Sequence, residues 1–75
     1  MLNNDTVLIN TGSIESCWET ADACFVKMSS GKLWVLERQF IVSIDTPTIN
    51  TMEYIEVCSK ENRIVKLPIK SKKEV

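Results

Sequence analysis

The 75-residue chain contains no histidine, and only two glycines and two prolines. Without an imidazole, the Ser–His and Cys–His pairs that activate a nucleophile are excluded. With only Gly12 and Gly31 present, no glycine-rich loop exists to cradle a phosphate. Cysteine is also sparse. Cys17, Cys24 and Cys58 form no Cys-x-x-Cys pair, and three candidate ligands fall short of the four that a structural zinc site takes. No apolar run approaches the ~20 residues of a membrane-spanning helix. Met1 to Asp5 lack the basic start and apolar stretch of an export signal. An odd number of cysteines without such a signal points to a reducing cytoplasm and buried thiols. The carboxylates are scattered at turns and on strand faces, with no paired arrangement for acid–base work. These absences together predict a chain that is not an enzyme and carries neither metal nor cofactor.

What is present reads as one globular domain. Hydrophobic residues make up 44% and charged residues 25%, ordinary values that argue against disorder. A chain of this length buries only about 60% of its unfolded surface, so its core is small. Small domains add disulfides, a metal or a partner subunit; the first two props are missing, which leaves a homodimer open. The charge is unevenly distributed. Residues 1–59 carry three basic residues against eight acidic ones, a net −5, and residues 60–75 carry six against two, a net +4. The total of −1 therefore hides an acidic body and a basic carboxyl end, which bears on partners rather than on fold.

The strongest local signal lies at residues 24–38. Cys24 to Met28 and Leu33 to Leu36 are β-rich runs joined by Ser29-Ser30-Gly31-Lys32, the signature of a β-hairpin. Both faces of these runs carry apolar residues, the pattern of a central ribbon in a sandwich or barrel. Val7 to Thr11 reads as an earlier strand closed by Gly12, and Gln39 to Ile44 as a later one broken at Pro47. Segment 13–23 is two-sided. Ile14, Cys17, Trp18 and Ala21 follow the i, i+3, i+4, i+7 spacing of a helix capped by Ser13, whereas Ile14, Ser16 and Trp18 alternate as in a strand. Met52 to Cys58 alternates, Ser59-Lys60-Glu61-Asn62 supplies a turn, and Arg63 to Ile69 returns, so a second hairpin is predicted. Pro68 places that strand's end at a sheet edge. The expected fold is mainly β, a small antiparallel sheet or SH3- or OB-like barrel of five to six short strands. It has one short helix at 13–23 as an option. The domain spans residues 1–69, with 70–75 as a frayed basic tail.

Two surfaces are candidates for function. Trp34, flanked by Leu33 and Val35, reads as core, and core packing is also the simpler reading of Trp18 and of the three thiols. Trp18 is nevertheless the better candidate for exposure. With Glu15, Glu19 and Asp22 around it, an exposed Trp18 suits a protein-binding hot spot for a partner with a basic surface. The alternative is nucleic-acid binding by Lys60, Arg63, Lys66, Lys70, Lys72 and Lys73, against which stand the acidic body and the 7% aromatic content.

Glu19-Thr20, the strand Cys24 to Lys27, the turn at Gly31 and then Trp34-Val35-Leu36-Glu37-Arg38-Gln39-Phe40 resemble small β proteins common in phages and mobile elements. Those often read Glu-Thr, a strand, a polar turn with Gly, then Trp-Leu-Pro-Lys-Ser-Gln-Ile. Trp34, Val35, Gln39 and Phe40 fit, while Leu36, Glu37 and Arg38 depart from the pattern. The resemblance covers about twenty residues and implies a phage-like origin and an all-β fold, with no catalytic residue to transfer. The expectation is a protein-interaction module, a phage-type inhibitor that blocks a basic host protein. Nucleic-acid binding ranks second and self-assembly third.

Overall fold

The computed structural model describes residues 6–45 and 48–70. Among them it is mainly β, with seven strands in three small antiparallel sheets and one α-helix. β1 (Thr6–Asn10) leads through a 3-10 turn at Thr11–Ser13 into β2 (Ile14–Glu19). β3 (Cys24–Met28) and β4 (Leu33–Leu36) follow, then the short strands β5 (Gln39–Ile41) and β6 (Thr48–Asn50). α1 (Thr51–Ser59) and β7 (Ile64–Pro68) complete the set.

The hairpin at 24–38 forms as the sequence predicts. β3 pairs antiparallel with β4, Phe25 opposite Val35 and Val26 opposite Trp34. Gly31 takes φ 100°, a conformation that a side chain makes costly, and its N–H donates to Met28 O at 2.9 Å. β2 adds on the other side of β3, giving the order β2-β3-β4. β1 pairs with β7, Ile9 opposite Val65, and β5 pairs with β6. A bridge between Leu36 and Ile69 joins the β1–β7 ribbon to the edge of β4. The Glu37 N–H reinforces it by donating to Pro68 O (3.1 Å), and the Lys70 N–H by donating to Val35 O (3.0 Å). The sheets wrap one core but do not close into a barrel, which corrects the barrel expectation.

Within segment 13–23 the stretch Ile14–Glu19 is a strand, and its helical look has a specific cause. A β-bulge between Ile14 and Ser16 inserts one residue into the ladder. The alternation is thereby reset, so Ile14 and Cys17, three apart, both turn to the core. A spacing of three mimics a helix face without any helix.

Residues 52–58 correct a second expectation. They form α1, not the outgoing strand of a hairpin, and β7 pairs with β1 instead. Asn50 caps the helix, its Oδ1 accepting from the N–H groups of Met52 (2.9 Å) and Glu53 (3.1 Å). Thr51, Ile55 and Cys58 are its buried residues, at i, i+4 and i+7, a single helical stripe facing the sheets. The turn after it is as predicted, with Asn62 in the left-handed region at φ 51°.

The core consists of Ile9, Cys24, Val26, Leu36, Ile55, Cys58, Val65 and Leu67, all nearly inaccessible. Two buried threonines tie the layers together. The Thr11 hydroxyl lies 3.1 Å from Cys58 O and 2.9 Å from Arg63 O, and it accepts from the Arg63 N–H at 2.9 Å. Thr51 donates its hydroxyl to Glu37 O and its N–H to Arg38 O, pinning the start of α1 to the β4–β5 connection. Among the described residues no helix is long and apolar enough to cross a membrane.

Candidate interaction face on the central sheet

Strand alternation sorts the residues of β2, β3 and β4 onto two faces. Cys17, Cys24, Val26, Met28, Trp34 and Leu36 turn inward, in the core or packed against it. Trp18, Phe25, Lys27, Leu33 and Val35 turn outward. Trp18 sits opposite Phe25, Phe25 opposite Val35, and Lys27 opposite Leu33. An apolar row thus crosses all three strands. The Trp18 and Phe25 rings stack with centroids 5.5 Å apart and planes 8° from parallel. Phe25 and Val35 are half-buried, while Trp18 is 41% and Leu33 49% exposed. None of these four side chains packs against the core. The sandwich reading of a ribbon covered on both faces is therefore corrected, since among the described residues no second layer covers the outer face.

The predicted acidic cluster is divided by the same alternation. Trp18 is exposed, as suits a binding residue, rather than packed in the core. Glu15 lies at the bulge with Oε1 4.0 Å from Lys27 Nζ, at the edge of the apolar row. Glu19 turns to the opposite face, where its Oε1 is 3.5 Å from Arg38 Nε. Asp22 is exposed in the β2–β3 turn, its N–H donating to Thr20 Oγ1 at 3.2 Å. Both ion pairs are partly exposed, Glu19–Arg38 the more covered of the two, and each is worth about 0–1 kcal/mol. Arg38 Nε is itself buried and has no hydrogen-bond partner among the described residues, and the Glu19 carboxylate 3.5 Å away supplies a counter-charge.

The basic set follows the chain from the end of α1 to the end of β7. Lys60 is exposed after α1, and Arg63 is 3.7 Å from Glu61. Lys66 is exposed on β7 opposite Leu8, and Lys70 is half-buried. Arg63 and Lys70 stand seven residues apart, ~23 Å of extended chain. Lys72 and Lys73 lie outside the described residues.

Phe25, Leu33 and Val35 complete the face, although their sequence pattern is that of a covered ribbon. Alternation sets Phe25 beside Lys27 and Leu33 beside Val35, and the β3–β4 register puts the two pairs on one face. A separate open groove of about 470 Å³ lies between β1 and the β3–β4 tip, floored by Leu8, Met28 and Trp34 and edged by serines. Lys32 Nζ sits 4.8 Å over the Trp34 ring there.

On the inner face, Cys17 Sγ lies 4.0 Å from Cys24 Sγ. Hydrogen bonding by the Cys24 thiol favours the Cys17 thiolate and lowers its pKa, against burial and the charges of Glu56 and Glu19. That same hydrogen bond, together with burial, pushes the Cys24 thiol up. Among the described residues no three His, Cys, Asp or Glu side chains gather to hold a metal ion. Comparison with protein-family models, curated proteins and solved structures finds no match.

Proposed function

We propose that the chain is a non-enzymatic protein-interaction module that binds a partner protein across the outer face of β2, β3 and β4. The supporting observation is the stacked Trp18–Phe25 pair on an open apolar row. Exposed aromatics on a rigid sheet are suited to binding because little side-chain freedom remains to be lost. Trp is also among the commonest binding hot spots. The acidic body, net −5 over residues 1–59, favours a partner whose rim is basic and speeds its approach. Occupying that partner's surface is the effect, a steric and electrostatic blockade. The resemblance at residues 19–40 to phage β proteins suits an inhibitor of a host protein.

The test is capture of partner proteins by the wild-type chain beside Trp18→Ala and Leu33→Ser variants of equal thermal stability. The expected result is one partner retained by the wild type and lost with both variants. Trp18 exposes about 100 Å² if its full area is taken as ~250 Å². Burial of that area is worth about 2.5 kcal/mol, or roughly 60-fold in affinity. A partner that both variants keep at wild-type affinity refutes the face. Retention of DNA or RNA at low salt, lost when residues 70–75 are removed, replaces the proposal with nucleic-acid binding. A concentration-dependent dimer mass abolished by Trp18→Ala replaces it with self-assembly.

A further inference from the structure

We propose that Cys17 and Cys24 form an oxidisable dithiol, a modification site at which a peroxide closes a disulfide between strands β2 and β3. The pair stands on the inner face of the ribbon and does not depend on the interaction reading. Cys17 pairs with Val26 and Cys24 with Glu19, so the two thiols are diagonal neighbours with their sulfurs 4.0 Å apart.

Accessibility divides the labour. Cys17 is half-buried and can meet a small oxidant, whereas Cys24 is fully inaccessible and is reached only through Cys17. Cys58, the third thiol, is buried on the helix stripe. An accessible thiolate beside a resolving thiol is the arrangement of peroxide-sensing cysteines. Around the pair stand Glu19, Glu56 and Arg38. The two carboxylates hinder ionisation of Cys17, and the hydrogen bond from Cys24 offsets them.

The chemistry closes without a metal. The Cys17 thiolate attacks one peroxide oxygen, the O–O bond breaks, and hydroxide leaves with its electron pair. Cys17 is then a sulfenic acid. The Cys24 sulfur attacks the Cys17 sulfur, the S–S bond forms and the S–O bond breaks. The departing oxygen takes the Cys24 proton and leaves as water. The hydroxide takes up the proton that Cys17 lost on ionising, so two electrons pass from the dithiol to the peroxide, which ends as two waters.

The sulfurs must approach from 4.0 Å to about 2.05 Å. Diagonal neighbours in a flat ladder stand ~7–8 Å apart at Cα, so closure draws β2 inward by about 1 Å. β2 is placed to move. It is the terminal strand of its sheet, with no further strand paired beyond it among the described residues, and its bulge at Ile14–Ser16 already interrupts the ladder.

The experiment treats the folded wild-type chain with hydrogen peroxide, blocks remaining thiols with N-ethylmaleimide in denaturant, and reads intact mass and peptide links. The expected product is a monomer lighter by two hydrogens, with one blocked thiol at Cys58 and a Cys17–Cys24 link. Cys58→Ser forms the link at the wild-type rate. Cys17→Ser forms none, and Cys24→Ala, with its fold checked by circular dichroism, stops at a Cys17 sulfenic acid trapped by dimedone. A Cys17 sulfinic acid without a link in the wild type overturns the proposal. So does an intermolecular dimer, a link to Cys58, or equal oxidation of all three thiols.

Discussion

Replacement of Thr11 by Val removes one hydroxyl and leaves the side-chain shape almost unchanged, so its cost is that of the hydrogen bonds. Thr11 is 3% exposed. Its carbonyl partners do not go unpaired in the variant. Cys58 O still accepts from the Glu61 N–H at 3.0 Å, and Arg63 O from the Thr11 N–H at 2.9 Å. The Arg63 N–H is different, because the Thr11 hydroxyl is its acceptor. A part-buried donor left without an acceptor costs about 1–3 kcal/mol, and a central value of about 2 kcal/mol is expected here. In a domain of this size that lowers the melting temperature by roughly 8–16 °C. It is also a large fraction of a total stability of roughly 4–11 kcal/mol. Thr11→Ser supplies the control, since it keeps the hydroxyl and loses one methyl, worth about 0.8 kcal/mol. Urea unfolding of both variants, at unchanged m-value, provides the comparison. Thr11→Val as stable as Thr11→Ser, or within about 0.5 kcal/mol of wild type, refutes the assignment of Thr11 as the clasp between the end of α1 and β7.

Asn50→Ala removes the acceptor for the Met52 and Glu53 N–H groups and should cost about 1 kcal/mol in thermal unfolding, with Asn50→Ser recovering most of it. Gly12→Ala places a methyl 2.6 Å from Asn62 Oδ1, so it should destabilise the wild type and cost measurably less in an Asn62→Gly background. Additive losses in that double-mutant cycle contradict the contact. Gly31→Ala meets no atom of the described residues within 4 Å but must adopt φ 100°, and should lose about 1 kcal/mol through the backbone alone.

The hairpin at 24–38 was legible because its turn chemistry, its length and the strand-favouring Phe25, Val26, Trp34 and Val35 agree within fifteen residues. The helix at 51–59 was not. Its alternation of Met52, Tyr54, Glu56 and Cys58 is compatible with a strand, and the decisive cue was one residue upstream, in Asn50 poised as a cap. The bulge in β2 deceived in the opposite direction, because an inserted residue converts a period of two into a spacing of three. For the proposed face, the sequence located Trp18 but grouped it with Glu19, which strand alternation sends to the other side. Its true neighbours, Phe25 and Val35, come from other strands, and only the ladder register brings them together. The outward side of the ribbon carries the pattern of a covered one, because no local pattern distinguishes a face met by another layer from one left open.

The pairing of β1 with β7 has a consequence for the chain during its own synthesis. Ile9 meets Val65 across 56 positions, so β1 emerges from the ribosome long before its partner exists. Until residues 63–69 follow, Ile9 has no ladder, Thr11 has no Arg63 to hold, and the bridge at Leu36 has no Ile69. The β2–β3–β4 meander can form early because its contacts are local, whereas the core waits for a loop closure spanning most of the domain. During that interval the nascent chain displays apolar side chains on both faces of the meander. A holding chaperone would meet the inner face only then, and the Trp18 face at any time.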